Sequence, residues 1–386
     1  MSNNEAYFFL RSGLHNCQAK FTLKKSGRIA FLGGSITQSS GWRDGVMRFL
    51  CKKFPQTTFD FIGAGIGSLG SVPHAFRLEQ DVLSKGEIDL LFLEAAVNDA
   101  VNIPSDPLRM LRGMEGVVRH VRMASPMTDI VQMHFAMPEH LADYDAGRIP
   151  LAISVHERVA EFYGNPSLNL AKEVNDRIGA GEFTWEGDFK DLHPSPFGHD
   201  VYATTINRML DTAWSELLVE PKPHSLPGQP LDTSSYFQGF FDRLENVEIA
   251  HDFELVPRWL PTITAKTRPG FVDVPALVAR GPGASMRMQF HGTAAGLLIA
   301  SGPKTGILEV SCDGEPFRRI DTFTSWSNDL YLPWAIILAD GLDDGPHSIR
   351  IRLGEECNPK DATLVICRLL VNGQRLTFES VSRADK

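Results

Sequence analysis

Apolar positions in the first half of the chain follow two alternating rhythms. Short runs at Arg28–Leu32, Thr58–Ile62, Asp89–Ala96 and Asp129–Ala136 read as strands, the continuous apolar Asp89–Ala96 as one buried on both faces. Between and after them, Trp42–Lys53, Phe76–Leu83, Pro107–Met123, Val155–Tyr163 and Phe197–Leu218 carry helical spacing. Pro107 stands in a first turn, where its missing N–H costs nothing. This alternation predicts a parallel sheet with helices on both faces, a three-layer α/β/α domain.

The rhythm stops at Glu220. The stretch from Glu220 to Pro230 holds Pro221, Pro223, Pro227 and Pro230, which is linker composition. Beyond it, short apolar stretches such as Gly306–Ser311, His347–Leu353 and Thr363–Val371 are separated by turn signals at Gly281-Pro-Gly283, Gly302-Pro303, Asp313-Gly314 and Asp343-Asp-Gly345. That texture predicts an antiparallel β-sandwich or jelly roll. The expected organisation is an α/β domain at 1–219, a proline-rich linker at 220–234 and a β-sandwich at 235–386.

A length of 386 residues agrees with two domains, and 43% hydrophobic with 22% charged residues excludes a disordered or fibrous chain. Lys and Arg total 38 against 47 Asp and Glu, a formal charge of −9, with no basic run. Nucleic acid and anionic membrane surfaces are therefore poor partners. The longest apolar run, Leu90–Val97, carries Glu94 and falls far short of the about 20 residues a membrane helix needs. The five cysteines, Cys17, Cys51, Cys312, Cys357 and Cys367, are odd in number and lack CxxC spacing, which argues against a disulfide framework or a thiolate zinc site. The first twenty residues have no basic segment leading into an apolar one, so the expected location is the cytoplasm. No HxH or HExxH occurs, and neither a metal nor another cofactor is expected.

Four loops carry candidate chemistry. In Phe31-Leu-Gly-Gly-Ser-Ile-Thr37 a buried strand ends in two glycines, which can present Ser35 at the carboxyl edge of the sheet, where open α/β sheets hold ligands. Ser35 as a plain helix cap is the competing reading. In Gly63-Ala-Gly-Ile-Gly-Ser-Leu-Gly70, Gly65, Gly67 and Gly70 spell GxGxxG. A dinucleotide site would need this motif to open the first βαβ helix, whereas it follows the second strand and Ser71-Val-Pro-His74 interrupts the helix to come. The other use of such a loop is to aim backbone N–H groups at an oxyanion. Asn98 follows the third strand and offers a neutral amide donor, or simply an Asn-Asp turn; Asp99 reads as a loop-holding residue. Finally, His193 in Asp191-Leu-His-Pro-Ser-Pro-Phe-Gly-His199 suits a general base held on a loop. His120, His134, His140, His156 and His199 have no partner pattern and read as structural, Trp42 as core and Arg43 as surface.

Ser, glycine loop, Asn and Asp/His in this order resemble the SGNH (GDSL-like) hydrolase superfamily, over about residues 25–215. Gly33-Gly-Ser-Ile-Thr37 resembles its nucleophile block, and Ala96-Val-Asn-Asp99 its GxND block with Ala96 for glycine. Phe76-Arg-Leu-Glu-Gln-Asp-Val-Leu83 and Met114-Glu-Gly116 are similar to a branch of multidomain esterases suspected of acting on acylated carbohydrates. The resemblance implies a flavodoxin-like SGNH sheet. It also implies Ser35 as nucleophile, His193 as base, and an oxyanion hole from the Ser35 and Ser68 N–H groups and the Asn98 amide. Two positions depart from the pattern. Ser68 stands where glycine is usual, and Lys190 stands where the acid of DxxH is usual. Asp191, two residues before His193, is the expected acid and Asp188 its competitor. The implied function is hydrolysis of short acyl esters, acetyl on a sugar or oligosaccharide above all. The alternatives are a lipase or thioesterase on the same fold, a noncatalytic carbohydrate-binding protein, and a nucleotide-binding enzyme.

Overall fold

A computed structural model describes residues 7–215, 218–355 and 361–376; Cys357 and positions 216–217, within the run expected to be the last helix, lie outside these. The chain forms two compact units, Met1–Phe237 and Gln238–Lys386.

In the first unit, strands β1 (Phe8–Phe9), β2 (Ser26–Gly33), β3 (Thr58–Gly65), β4 (Leu90–Glu94), β5 (Asp129–His134) and β6 (Ser167–Asn169) form one sheet in the order β1-β6-β5-β4-β2-β3. All pairs are parallel except the short edge pair of β1 with β6. The parallel part is the flavodoxin-like order, with its switch point between β2 and β4. Helices Trp42–Lys53 and Pro107–Ala124 lie where the apolar spacing puts them. The helix after the glycine loop starts earlier than expected, at Ser71. Pro73 does not interrupt it, because a first-turn position has no intrahelical partner for its N–H.

The core beneath the sheet edge is aromatic. Phe31 of β2 stacks on Phe92 of β4 with centroids 5.3 Å apart. Trp42 stands edge-on to Phe31 and Phe135, both at 5.5 Å, and is fully buried. Burying a side chain of this size is worth about 2–3 kcal/mol. Its Nε1–H also donates to the Ile36 carbonyl at 3.2 Å, which ties the core to the turn that carries Ser35.

The proline-bearing stretch belongs to the first unit and is bonded to it along its length. His224 Nε2 lies 2.7 Å from Asp129 Oδ1. Arg119 donates to the Pro227 carbonyl, and Arg112 to Asp232. Buried Glu115 accepts from the Leu231 and Asp232 N–H groups, the Ser235 hydroxyl and the Tyr163 hydroxyl. Tyr236 is fully buried, its ring 5.2 Å from that of Phe76.

The second unit is a ten-stranded antiparallel sheet folded over its own apolar core. Its long strand Ser285–Ser301 pairs through its first half with Val247–His251 and Gly345–Leu353, and through its second half with Leu332–Ala339 and Leu364–Gln374. The exchange of partners falls at Gly292, whose φ of +151° is closed to ordinary side chains and which sits at a register shift.

The Glu115 network sets an expectation for truncation. A chain ending at Phe237 keeps every partner described above. One ending at Glu220 removes three of the four donors to Glu115 together with the buried Tyr236 ring and the chain that covers them. Losing a buried aromatic side chain costs about 3–5 kcal/mol, or about 10 °C in a domain of this size. Differential scanning calorimetry of the two truncations should show the shorter one melting lower by that margin. Equal melting temperatures would remove the stretch from the first domain's structure.

Candidate active site

Four loops of the first unit converge at the carboxyl edge of the sheet, around the switch point. β2 ends at Gly33, and after Gly34 the chain turns into a one-turn helix, Ser35–Gln38, with Ser35 at its first position. The turn is possible because the backbones crowd. A Cβ on Gly34 would stand 2.0 Å from Asn98 Oδ1 and 3.5 Å from the Leu69 carbonyl oxygen. The serine turn, the glycine loop and the Asn98 helix (Ala96–Asn102) therefore meet at one residue.

Ser35 Oγ lies 2.7 Å from His193 Nε2. With the imidazole proton on Nδ1, Nε2 accepts the serine O–H, the geometry in which a general base removes the proton. His193 is carried by a loop fixed on both sides. The Ser195 hydroxyl donates to the Asp188 carbonyl at 2.5 Å, and its oxygen accepts from Gly198 N–H at the start of the helix Pro196–Ala213. Upstream, buried Phe189 stacks against Trp185 at 4.9 Å and meets Tyr202 edge-on at 5.5 Å. Lys190, at a left-handed φ of +86°, reverses the chain between the two.

The two candidate acids are placed differently. Asp191 Oδ1 accepts the His193 backbone N–H at 2.5 Å and lies 3.8 Å from Nδ1. That is beyond hydrogen-bond length, although such bonds are often long before substrate binds. Asp188 is engaged elsewhere: its Oδ2 accepts from the Thr184 N–H and hydroxyl. Asp191 and His193 side chains are 68% and 54% exposed, so water screens their interaction.

The converging loops also carry three donors. The Ser35 N–H, the Ser68 N–H and the Asn98 amide have no hydrogen-bond partner among the described residues. Ser68 adopts φ +73°, the left-handed conformation that glycine enters more cheaply.

Several neighbours of the site were not singled out from sequence or were assigned other roles. Arg77 is fully buried; it donates to the Gly33 carbonyl at 3.3 Å and the Ala64 carbonyl at 2.5 Å, and pairs with Asp81 at 2.6 Å. It thus clamps the ends of β2 and β3. Arg43, expected at the surface, does reach solvent, but its guanidinium also caps the Gln38 and Ser39 carbonyls. His199 Nδ1 accepts the Trp42 N–H at 3.3 Å, and burial pulls its pKa down, keeping it a neutral acceptor. Its ring fills the space beside Gly41, where a Cβ would come within 2.4 Å. Behind Asn98, burial pushes the Glu94 carboxyl up to about 8. Asp99 points inward, accepting from the Ser71 N–H at 2.8 Å and lying 2.9 Å from His156 Nε2. Asp99 therefore occupies the helix N-terminus that a pyrophosphate would need, which removes the physical basis for reading GxGxxG as a nucleotide site.

Residues 31–201 match the family of GDSL-like lipases and acylhydrolases. Two solved structures of a two-domain esterase active on acetylated mannans, one co-crystallised with mannopentaose, superpose with TM-scores of 0.79 and 0.77. Each is 24% identical, covering 97% of this chain and 99–100% of theirs, so the likeness is one of fold across both domains. No curated protein sequence matches.

The placement of the acids generates an expectation. Asp191→Asn should lower kcat on a small acetate ester by about 10–10², less than the about 10⁴ lost when a buried triad acid is replaced, because solvent screens this pair. Asp188→Asn should leave kcat unchanged. Steady-state kinetics of both variants check the assignment; collapse of Asp188→Asn with wild-type Asp191→Asn would reverse it.

Proposed function

We propose that this chain, a carboxylic-ester hydrolase by its GDSL-like lipase/acylhydrolase domain, is a serine esterase that removes short acyl groups, acetyl above all, from carbohydrate. The 2.7 Å approach of Ser35 Oγ to His193 Nε2 carries the reading. Ser35 attacks the ester carbonyl as His193 takes its proton. The oxyanion forms against the Ser35 N–H, the Ser68 N–H and the Asn98 amide. His193 returns the proton to the leaving alcohol, and water then repeats the sequence on the acyl-enzyme. Asp191 steadies the imidazole from the solvent side.

Two observations support a carbohydrate alcohol. His193 is 54% exposed, so the leaving-group side is open to a bulky hydrated alcohol. The second domain also displays aromatic rings on a fixed loop. Phe323 and Trp326 are 39% and 44% exposed. Beneath them Ser301, Thr322, Thr324 and Ser327 are buried and cross-bonded, with Ser301 Oγ 2.7 Å from both the Thr322 carbonyl and Ser327 Oγ. A rigid exposed ring offers the apolar face of a sugar a partner at little entropic cost. The esterase that shares this fold over both domains acts on acetylated mannans, which favours an acetylated polysaccharide here.

Ser35→Ala should lower kcat by at least about 10³ without changing the melting temperature. Across p-nitrophenyl esters from C2 to C10, wild-type kcat/KM should be highest at C2. A folded Ser35→Ala with activity within tenfold of wild type would sink the mechanism, and a C8–C10 optimum would sink the acetyl assignment.

Trp326→Ala should weaken turnover of acetylated polysaccharide several-fold while leaving a small chromogenic acetate unaffected. Equal rates on both substrates in parallel assays would exclude the loop from glycan binding.

A further inference from the structure

Amide by amide, the glycine loop shows how the Ser68 N–H is held. The Ile66 N–H is taken by the Gly33 carbonyl at 3.0 Å, and the Leu69 N–H by the Ile66 carbonyl at 3.4 Å. The Gly67 N–H is taken by Gln38 Oε1 at 2.9 Å. The Ser68 carbonyl accepts from Asn102 Nδ2, also at 2.9 Å. Between these bonds, the Ser68 N–H has no partner among the described residues. Ser68 itself sits at φ +73°, which costs a residue with a Cβ about 1–2 kcal/mol. A strained conformation persists only where its surroundings impose it, and here two side chains grip the adjoining peptide groups. Gln38 closes the one-turn helix begun by Ser35. Asn102 lies four residues after Asn98 on one helix and therefore on the same face. Each gripping residue rides on an element that also carries another group of the site.

We propose that Gln38 and Asn102 are positioning residues for the oxyanion hole. One accepts from the Gly67 N–H and the other donates to the Ser68 carbonyl, and by holding the peptides on either side they turn the Gly67–Ser68 peptide so that its N–H faces the Ser35 carbonyl adduct. This rests on the reading of Ser35 as nucleophile and the Ser68 N–H as oxyanion donor. The polarity of each bond makes the role specific. Position 38 needs an acceptor and position 102 a donor; size alone satisfies neither. Both side chains act through the loop backbone in this proposal, so the effect belongs in the chemical step and not in ground-state binding.

Four variants and a control test this. Gln38→Met keeps length and loses the acceptor; Gln38→Glu keeps the acceptor. Asn102→Asp keeps shape and loses the donor; Ser35→Ala tests the underlying reading. Gln38 is exposed and Asn102 half-buried, so all should fold, with melting temperatures within about 2 °C of wild type. At pH 7.5 on a small acetate ester, Gln38→Met and Asn102→Asp should each lose about 10–10² in kcat with KM within twofold. Gln38→Glu should stay within about threefold of wild type, a rescue that a merely structural role would not produce. The double variant Gln38→Met/Asn102→Asp should lose less than the product of the single losses, since the two bonds flank one peptide, Gly67–Ser68, from either side. Wild-type kcat in Gln38→Met and Asn102→Asp, losses confined to KM, or Gln38→Glu as poor as Gln38→Met would overturn the proposal. If Ser35→Ala is inactive while these variants behave as wild type, this inference alone fails; if Ser35→Ala is active, the esterase mechanism fails with it.

Discussion

The site depends on backbones that approach more closely than side chains allow. At the carboxyl edge of β2, β3 and β4 the chain uses glycine where another loop's atoms already occupy the Cβ position. At Gly34 the occupant is the Asn98 amide, at Gly65 the Gln38 backbone, and at Gly70 the Asp99 carboxylate. Each would lie 2.0–2.3 Å from an added Cβ, so even alanine would push the loops apart. The glycines are therefore the means by which three separate loops come together at this edge of the sheet. Conformational freedom is a smaller part of their role: none of the three has a positive φ. The residue in this region that does is Ser68.

Buried charges hold what the glycines permit. Arg77 and Asp99 are each 1% exposed, and both belong to backbone junctions more than to the core. Arg77 joins the last residues of two neighbouring strands, and Asp99 joins the start of the helix Ser71–Asp81 to the Asn98 segment. Taking either charge out of water costs several kcal/mol, which the partners only offset. Such groups contribute little net stability. What they supply is position: both have fixed, directional partners on elements whose relative placement decides where Ser35, Ser68 and Asn98 stand.

Much of this was legible in sequence where the signal is local. The strand runs, the helix Trp42–Lys53, the double glycine before Ser35 and the loop position of His193 each depend on neighbours a few residues away. The long-range bonds were not legible. Nothing near Arg77 announces that its guanidinium reaches Gly33 and Ala64, and nothing near Gln38 points to Gly67. Pro73 misled because helix-breaking power vanishes in a first turn, and the start of that turn is fixed by Asp99, 28 residues downstream of Ser71. The prolines at 221–230 misled in a similar way. They prevent regular structure but not attachment, and the attachment point, Glu115, lies in the middle of a distant helix. Ser68 shows the reverse. Its departure from glycine was visible, and its φ shows that the chain keeps the glycine conformation and bears the strain.

These features distribute the work of the site unevenly. An acid 3.8 Å from the imidazole, in a pair more than half exposed, interacts through water and ions and orients the base weakly. The donors face the opposite condition. The Ser68 loop is held by the Gln38 and Asn102 bonds, and the three donors meet no partner among the described residues. Polar groups left unpaired and a peptide held left-handed both lower the stability of the resting protein, and both costs are recovered when charge develops on the carbonyl oxygen. A donor set prepaid in this way stabilises the transition state more than the bound ester, which is the condition for raising kcat. In the mechanism proposed above, therefore, the larger share of rate enhancement lies with Ser35 N–H, Ser68 N–H and Asn98, and the smaller with the Asp191–His193 pair.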